Sequence, residues 1–417
     1  MLKVVLKRIV GVGITPRLLM ARVAILRVLG RISRPRIEPS KTVGQILFSF
    51  PYHSVGDLVL SLTLVDHIHD VWPEARIDVV VGSTMGALVS AIPYVHRVFQ
   101  LPRSRIRQPL IAAYAELQNA TRLFRDELSG IAYDLAIAPR WDSADSFFSA
   151  YLAYLTGAPI RCGYSGGSDG GSKEVDNFLT VAATGGGHEH ESLRYARLLS
   201  RCGLESAGAI DPATPQSPIH ALQCVAERRK TTGEAMRSPV CEKYVVFSPG
   251  ATNPRRMWPI ERFSEVGRVL FERRGLRTII IGGPADGRLC AQLANLIGDS
   301  ALSVAGKTDS LQMLDLLAGS ELFLGNDSGP AHIAGGLGIS TVVVSPFPLS
   351  CALDHPNSPQ RFRPAGPRVK VLQPQDPLSP CSPMCQQDAQ HCILQVSGEE
   401  VLAAIQSVLH EWHGARA

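Results

Sequence analysis

The stretch QILFSFPYHSVGDLVLSL at residues 45–62 contains a short apolar run, a turn and the start of a longer apolar segment. The run Gln45–Phe50 has the length and composition of a buried strand, and the segment from Asp57 to Asp70 is long enough for a helix. Gly56 permits a close backbone turn, and Asp57 lies where the dipole of the following helix favours a carboxylate. The stretch therefore predicts the opening unit of a parallel α/β sheet.

The same alternation recurs along the chain in two series. The first series continues with predicted strands at Arg76–Gly82, Arg97–Leu101 and Tyr133–Pro139. The second series has predicted strands at Tyr244–Ser248, Arg277–Gly283, Leu322–Gly325 and Thr341–Ser345. Its predicted helices are Glu261–Gly275, Asp286–Gly298, Ser310–Gly319, a helix that begins at Gly329, and Gly398–Trp412. Strands that alternate with helices predict parallel sheets covered on both faces.

The region between the two series has a different composition. Gly163–His190 is rich in Gly, Ser and Asp and predicts a long loop, Pro212–Pro218 predicts a linker, and a helix is expected near Ala221–Thr232. The predicted fold is α/β, with two Rossmann-like doubly wound domains that face a central crevice. We expect a basic head at residues 1–41, one domain at 42–215 and a second domain at 216–417.

The positive charge is concentrated in the head. Residues 1–41 contain ten Lys or Arg and one acid, Glu38, which leaves the rest of the chain with −4 of the overall +5. That balance argues against a broad nucleic-acid-binding surface. Thr15-Pro16 predicts the start of a helix that runs to about Ser33, with arginines 17, 27, 31 and 34 on one face.

This basic amphipathic segment suits the surface of an anionic membrane. Packing of the helix on the body and an Arg-rich transit peptide are the alternatives. The longest charge-free stretch of the head, between Arg8 and Arg17, is too short to span a bilayer. We expect peripheral attachment to a membrane surface.

The chain has nine cysteines between Cys162 and Cys392, an odd number in a sequence with ample apolar residues for a core. Reduced thiols in a cytoplasmic setting are therefore expected rather than a disulfide scaffold. Cys381-x₃-Cys385-x₅-His391-Cys392 offers four zinc ligands, but an adjacent His and Cys rarely both face one ion. The sequence therefore favours a plain cysteine-containing loop, with no metal and no cofactor.

Two further motifs follow predicted strands of the second series. Ser248–Pro259 (SPGATNPRRMWP) presents turn residues, a hydroxyl and two arginines, which suit the forked hydrogen bonds of a diphosphate. Residues 325–338 (GNDSGPAHIAGGLG) open a helix with small residues, and such a start is a ready anion site. A basic surface loop and a simple helix cap by Asp327 or Ser328 are the alternatives, and Asp57 alone is also compatible with a cap.

Together these motifs resemble the heptosyltransferases of glycosyltransferase family nine, over roughly residues 45 to 405. SVGDLVLSL, SPGAT…RRMWP…RF, IIIGGPAD and GNDSGPAHIAGGLG occur in the family's order. The resemblance implies a GT-B fold, an inverting mechanism without a metal, and a nucleotide-heptose donor, usually ADP-heptose. The implied acceptor is a lipid-linked saccharide, the growing core of lipopolysaccharide, at the cytoplasmic, inner face of the bacterial inner membrane. The resemblance also makes 42–215 the acceptor-side domain and 216–417 the nucleotide-sugar-binding domain.

The resemblance also assigns roles to individual residues. Asp57 matches the family's proposed general base. The residues implied on the donor side are Thr252 and Arg256 near the diphosphate, Asp286 at the ribose, Asp327 at the transferred sugar, and Ser328, Gly329 and His332 at the helix start. The acceptor-side candidates are Gly56, His53 and Arg105. Arg256 replaces a lysine that is frequent in the family, and Phe50–Ser54 replaces a polar run, which weakens any transfer of acceptor contacts.

Other functions remain compatible with the sequence. A family relative could use another nucleotide sugar for a different surface glycan. A sugar-nucleotide epimerase of similar architecture would also use a diphosphate crevice, and a membrane-docked binding protein with a degenerate site is a non-catalytic alternative. The segment His188–Glu191 (HEHE) could line the acceptor side, although the default expectation for it is a surface position.

Overall fold

The structure is a computed structural model that describes residues 43–51, 54–102, 118–139, 146–165, 173–183, 189–201, 217–351, 358–381 and 385–414. In this part of the chain the strands form two six-stranded sheets. Every pair of neighbouring strands is parallel. The expected α/β class and the pair of doubly wound halves are confirmed. The basic head, including its predicted helix, lies outside the described residues.

The first sheet contains the strands β1 (Gln45–Phe50), β2 (Arg76–Gly82), β3 (Val95–Leu101), β4 (Leu135–Ala138), β5 (Ile160–Tyr164) and β6 (Val181–Ala183). Its helices are α1 (Val55–Val71), α2 (Gly86–Ser90), α3 (Ser146–Leu155) and α4 (Glu191–Arg201). The strand order is β3-β2-β1-β4-β5-β6. The chain therefore reverses direction across the sheet between β1 and β4, which is the point where such sheets bind ligands.

The second sheet contains β7 (Tyr244–Ser248), β8 (Arg277–Ile280), β9 (Ala301–Ser303), β10 (Leu322–Asn326), β11 (Thr341–Val344) and β12 (Val369–Leu372). Its helices are α5 (His220–Thr232), α6 (Ile260–Arg274), α7 (Gly287–Ile297), α8 (Ser310–Ala318), α9 (Gly329–Leu337), α10 (Pro359–Phe362) and α11 (Gly398–Gly414). The order β12-β11-β10-β7-β8-β9 repeats the doubly wound pattern, with its switch point between β7 and β10.

The long loop predicted at Gly163–His190 is wrong in part, because this interval contains the end of β5, a 3₁₀ turn at Lys173–Phe178, and β6. The strands were missed because they are only five and three residues long and because Arg161 and Gly163 interrupt the apolar residues of β5. Arg161 in β5 is buried, and its guanidinium donates hydrogen bonds to the carbonyls of Ala158 (2.6 Å) and Phe178 (2.8 Å). A polar residue that is buried through such bonds hides the strand from a hydrophobicity pattern.

Helices α1, α5 and α9 join the two halves through one continuous apolar core. The backbone N–H of Ile219, just before α5, donates to the carbonyl of Gly336 in α9 (2.7 Å). The N–H of Ala221 donates to the carboxylate of Asp66 in α1 (2.9 Å). The two halves of the molecule are therefore held together at a packed helical interface.

One cysteine differs from the expectation that the thiols are reduced. Cys162, buried in β5, is disulfide-bonded. The other described cysteines with assigned states are free thiols, namely Cys224, Cys241, Cys290, Cys381, Cys385 and Cys392. No helix in the described ranges is long and apolar enough to cross a bilayer.

Candidate active site

The three sequence motifs meet at the carboxyl ends of the central strands. Ser54–Asp57 follows β1, Pro249–Trp258 follows β7, and Asp327–His332 follows β10. β1 lies at the switch point of the first sheet, and β7 and β10 flank that of the second. Because the carboxyl ends of parallel strands at a switch point form a crevice, this edge is the expected ligand site.

Two glycines bring the first turns of α1 and α9 into direct contact. A Cβ atom at Gly56 would lie 2.8 Å from ring atoms of His332. A Cβ atom at Gly329 would lie 2.5 Å from Cβ of Val55. Both distances are shorter than non-bonded carbon contacts allow, so only glycine fits at either position. The sequence motifs around Gly56 and Gly329 thus face each other across the crevice.

Asp57 lies in the first turn of α1, three residues after the helix N-cap Ser54. Its negative charge affects the pKa values of two acids, Glu191 in the first half of the molecule and Asp327 in the second. Burial raises the pKa of Glu191 and of Asp327, and the negative charge of Asp57 raises both pKa values further. Asp57 is therefore near enough to the second half of the molecule to influence Asp327 electrostatically.

Arg256 and Asp327 form an ion pair between the loops after β7 and β10. Nη2 of Arg256 donates to the backbone carbonyl of Asp327 at 2.7 Å and lies 3.2 Å from its carboxylate Oδ2. The hydroxyl of Ser345 donates to the same Oδ2 at 3.3 Å. Burial raises the pKa of Asp327, whereas Arg256 and Ser345 lower it. Nε of Arg256 is buried and has no hydrogen-bond partner among the described residues.

Asn326 positions the loop that carries Arg256, and sequence reasoning assigned it no role. Its side-chain N–H donates to the carbonyl of Pro249 (2.7 Å), and its side-chain oxygen accepts from the N–H of Trp258 (2.9 Å). These two hydrogen bonds hold both ends of the loop Pro249–Trp258 against the end of β10. Asn326 is fully buried, and its place between Gly325 and Asp327 in the third motif was the available signal.

His332 is buried behind the start of α9. Burial, and to a smaller extent the charges of His190 and Arg256, lower its pKa to about 3. Its Nδ1 has no hydrogen-bond partner among the described residues. Burial likewise lowers the pKa of His190 to about 4. Both imidazoles are therefore neutral near pH 7.

The remaining donor-side candidates lie around the same edge. Oδ2 of Asp286 accepts from the N–H of Gly283 at 2.9 Å, and a Cβ atom at Gly250 would lie 2.7 Å from the Asp286 carboxylate. The turn after β8 is thus next to the loop after β7. Thr252 is exposed at the tip of that loop. Ser328 is the N-cap residue of α9, and its hydroxyl donates to the carbonyl of Asn326 (3.1 Å) instead of capping the helix.

The expectation of a surface position for the HEHE segment is wrong for His190 and Glu191, which are 5% and 2% exposed. Glu191 pairs with Arg361, and with Arg194 at 3.3 Å. Nε2 of His190 lies 2.9 Å from the carbonyl oxygen of Arg363. The burial follows from these partners, which sequence spacing could not reveal because they come from distant segments. Two acceptor-side candidates, His53 and Arg105, lie outside the described residues, as does His188.

Comparison with known proteins gives one consistent result. The profile of glycosyltransferase family 9 (heptosyltransferase) matches residues 121–389. Lipooligosaccharide heptosyltransferase 2 of Haemophilus ducreyi is 24% identical over 330 residues, which cover 76% of this chain and 85% of that protein. Lipopolysaccharide heptosyltransferase 3 of Escherichia coli K12 is 26% identical over 299 residues, with 71% and 80% covered.

Solved structures agree on the fold. The E. coli heptosyltransferase WaaC with ADP superposes with a TM-score of 0.67 at 17% identity, covering 87% of this chain and 99% of that one. The E. coli ADP-heptose lps heptosyltransferase II gives a TM-score of 0.62 at 18% identity, with 88% and 99% covered. These likenesses bear out the GT-B architecture. With a family profile that matches more than half of its length, this chain belongs to glycosyltransferase family 9, the heptosyltransferases, and is a glycosyltransferase.

Proposed function

We propose that this enzyme transfers heptose from ADP-heptose to a lipopolysaccharide-core-type acceptor with inversion at the anomeric carbon. Its relatives, which include lipooligosaccharide and lipopolysaccharide heptosyltransferases and an ADP-heptose heptosyltransferase, support the choice of sugar and acceptor class. The observation that carries the proposal is that Asp57 lies across the crevice from the Arg256–Asp327 pair. A base candidate and a cation thus face each other where the donor and acceptor would meet.

In this mechanism Asp57 accepts a proton from the acceptor hydroxyl. The hydroxyl oxygen forms a bond to the anomeric carbon while the bond from that carbon to the diphosphate breaks, and the electron pair leaves with the diphosphate. Attack from the face opposite the leaving group inverts the anomeric configuration. The α1 dipole favours the ionised form of Asp57 in the first turn of the helix.

The negative charge that grows on the diphosphate requires stabilisation. Arg256 is the cation in place, and the unpartnered Nε of its guanidinium adds a donor to the site. The start of α9 has no side-chain cap, so its first free amide and the positive end of its dipole are available to a phosphate. These preorganised groups would do the work that a metal ion does in metal-dependent transferases.

Asp327 is proposed to accept hydrogen bonds from hydroxyls of the transferred sugar. Arg256 and Ser345 hold its carboxylate at a fixed position in the crevice. Asp286 and Thr252 are proposed to contact the nucleoside ribose and the phosphates from the turns after β8 and β7. His332, neutral and in contact with the α1 turn, would position that end of the diphosphate site.

The acceptor is proposed to enter from the side of the first sheet, where Gly56, His53 and Arg105 are the candidate contacts. A cavity of about 490 Å³ lies between the two halves nearby, lined by Glu189 and His190 from one and Arg363 and Gln373 from the other. The proposed location is the cytoplasmic face of the inner membrane. The basic head would contact anionic lipid there, and no nucleic-acid partner is expected. The domain limits 42–215 and 216–417 stay a proposal.

Asp57→Asn tests the catalytic assignment. The variant keeps the shape of the side chain but removes the base, so we expect turnover to fall by about 10²–10⁴-fold. Binding of ADP-heptose should change little, because Asp57 contacts the acceptor in this mechanism. Steady-state ADP release and NMR of the product anomeric proton give the rate and the stereochemistry.

Asp70→Asn, at the exposed far end of the same helix, is the matched control. Near-normal turnover by Asp57→Asn would rule out Asp57 as the base. A product that keeps the donor's anomeric configuration would rule out single displacement.

A further inference from the structure

Three cysteines and a histidine converge between β12 and α11, apart from the crevice. Cys381, Cys385 and Cys392 are 5%, 3% and 0% exposed, and each is a free thiol. With His391 they present four ligand atoms that all lie within 4.8 Å of one another. The three thiols form a separate buried cluster that is not continuous with either sheet's apolar core.

Two distances from His391 fit a tetrahedral metal site. Nδ1 of His391 lies 3.4 Å from Sγ of Cys381 and 3.4 Å from Sγ of Cys392. Zinc–sulfur bonds of about 2.3 Å and zinc–nitrogen bonds of about 2.0–2.1 Å separate the two ligand atoms of a tetrahedron by roughly 3.6 Å. The sequence-based objection that neighbouring His and Cys rarely face one ion does not hold here. The turn at His391 and Cys392 directs both toward Cys381.

The surroundings of Cys381 resemble those of a metal-bound thiolate. The backbone N–H of Gln386 donates to Sγ of Cys381 at 3.5 Å, and such a bond stabilises negative charge on sulfur. Cys385 and its neighbours up to His391 lie in neither helix nor strand. Four ligands from both ends of an irregular segment would fix it, as a structural ion does in small zinc modules.

We propose that Cys381, Cys385, His391 and Cys392 bind one structural divalent cation of borderline softness, Zn²⁺ or Fe²⁺, in tetrahedral geometry. Three thiolates and an imidazole are the ligand set that selects these ions over Mg²⁺ or Ca²⁺. On binding, each thiol loses its proton to solvent and each sulfur donates an electron pair to the ion, with no change in oxidation state.

The site is connected to the loop that carries Arg256. The turn Cys392–Gln395 begins at a ligand, and the carbonyl of Val396, next along the chain, accepts from Nε1 of Trp258 at 2.8 Å. Nη1 of Arg262 donates to the same carbonyl at 2.6 Å. The ion would therefore stabilise the turn that packs against the loop carrying Arg256. The role of the ion would be structural.

Metal analysis of the purified full-length chain tests the proposal without any activity assay. We expect about one equivalent of Zn²⁺ or Fe²⁺ per chain, and elemental analysis separates the two ions. Cys385→Ser should lower the bound metal at least roughly tenfold, whereas Cys241→Ser, at an exposed free thiol, should retain it.

Replacement of the ion by Co²⁺ in the wild-type protein provides a readout that does not depend on the folding of a variant. Tetrahedral thiolate coordination gives intense visible absorption and sulfur-to-cobalt charge-transfer bands. Wild type that takes up neither Zn²⁺ nor Fe²⁺ after reduction and reconstitution would overturn the proposal. So would equal metal content in Cys385→Ser and wild type, or thiol counts of the unreduced protein that show a disulfide within the cluster.

Discussion

At the scale of single residues, the crevice depends on groups whose charges offset one another. Asp327 is 9% exposed, and Arg256 and Ser345 compensate the desolvation of its carboxylate. Glu191 is compensated in the same way by Arg361 and Arg194. A buried charge that loses its partner costs about 3–5 kcal/mol, so these pairs also constrain which variants fold.

The buried histidines predict how stability depends on pH. The folded-state pKa of His332 is lowered to about 3 from the ordinary 6.5, so the unfolded chain binds a proton first as the pH falls. His332 therefore does not lower the free energy of unfolding above pH 6.5. As the pH falls from 6.5 toward 3, protonation of this histidine in the unfolded chain lowers the free energy of unfolding. The loss should reach about 1 kcal/mol per pH unit between pH 6 and 5.

Urea unfolding of wild type and His332→Asn between pH 5 and 8 checks this prediction. Burial raises the pKa of Asp327 and of Glu191, which gives the opposite pH dependence, so the difference between the two proteins isolates the histidine. A weaker pH dependence is expected for the variant. Identical slopes would mean that His332 is not buried in its neutral form.

At the scale of elements, the approach of α1 to α9 sets the geometry of the crevice. Gly329→Ala would place a methyl group 2.5 Å from Cβ of Val55 and force the two helices apart. We expect a loss of about 1–3 kcal/mol in the free energy of unfolding and a lower kcat/KM. Urea titration and steady-state kinetics measure the two effects.

Gly287→Ala is the matched control for that variant. Gly287 is also the first residue of its helix, and a Cβ atom there meets nothing within 4 Å. It should be neutral, or stabilising by up to about 1 kcal/mol. If Gly329→Ala behaved like the control, the close contact between α1 and α9 would not exist in the folded enzyme.

The sequence predicted most of the elements that carry clear apolar runs, but helix α3 (Ser146–Leu155), which is largely apolar, was missed. β1, β2 and β7 were predicted with the bounds observed, because each is an uninterrupted buried strand. β9 and β12 were not predicted, since they are three and four residues long and lie at the edges of the second sheet. Short edge strands are defined by their pairing partners and carry little signal of their own.

At the scale of the whole molecule, two sheets of the same winding order are joined through helices α1, α5 and α9. The motifs at residues 54–57, 249–258 and 327–332 could be expected to converge, because each follows a strand of such a sheet. The buried partners could not be expected. Glu191 meets Arg361 across 170 residues of chain, and no local pattern encodes that contact.

The basic head adds a prediction about where the enzyme works. Replacement of Arg17, Arg27 and Arg31 by Gln removes three charges from the predicted helix face. At about 1 kcal/mol per arginine, binding to anionic vesicles should weaken on the order of 100-fold, while donor binding stays unchanged. Vesicle co-sedimentation at low and physiological salt measures the effect. Equal binding by both proteins would favour a head that packs on the body.

A calorimetric titration measures whether the crevice binds a nucleotide-sugar diphosphate through Arg256. Wild type, Arg256→Ala and the neighbouring control Arg255→Ala would each be titrated with ADP-heptose and a panel of other nucleotide sugars. We expect wild type to prefer ADP-heptose and Arg256→Ala to bind it about 10–100-fold more weakly, which corresponds to a charged hydrogen bond of about 1.5–3 kcal/mol. Arg255→Ala should bind within about twofold of wild type. Saturable ADP-heptose binding that is equally tight in Arg256→Ala would show that Arg256 does not hold the diphosphate, and binding to no member of the panel would rule out a nucleotide-sugar site in the crevice.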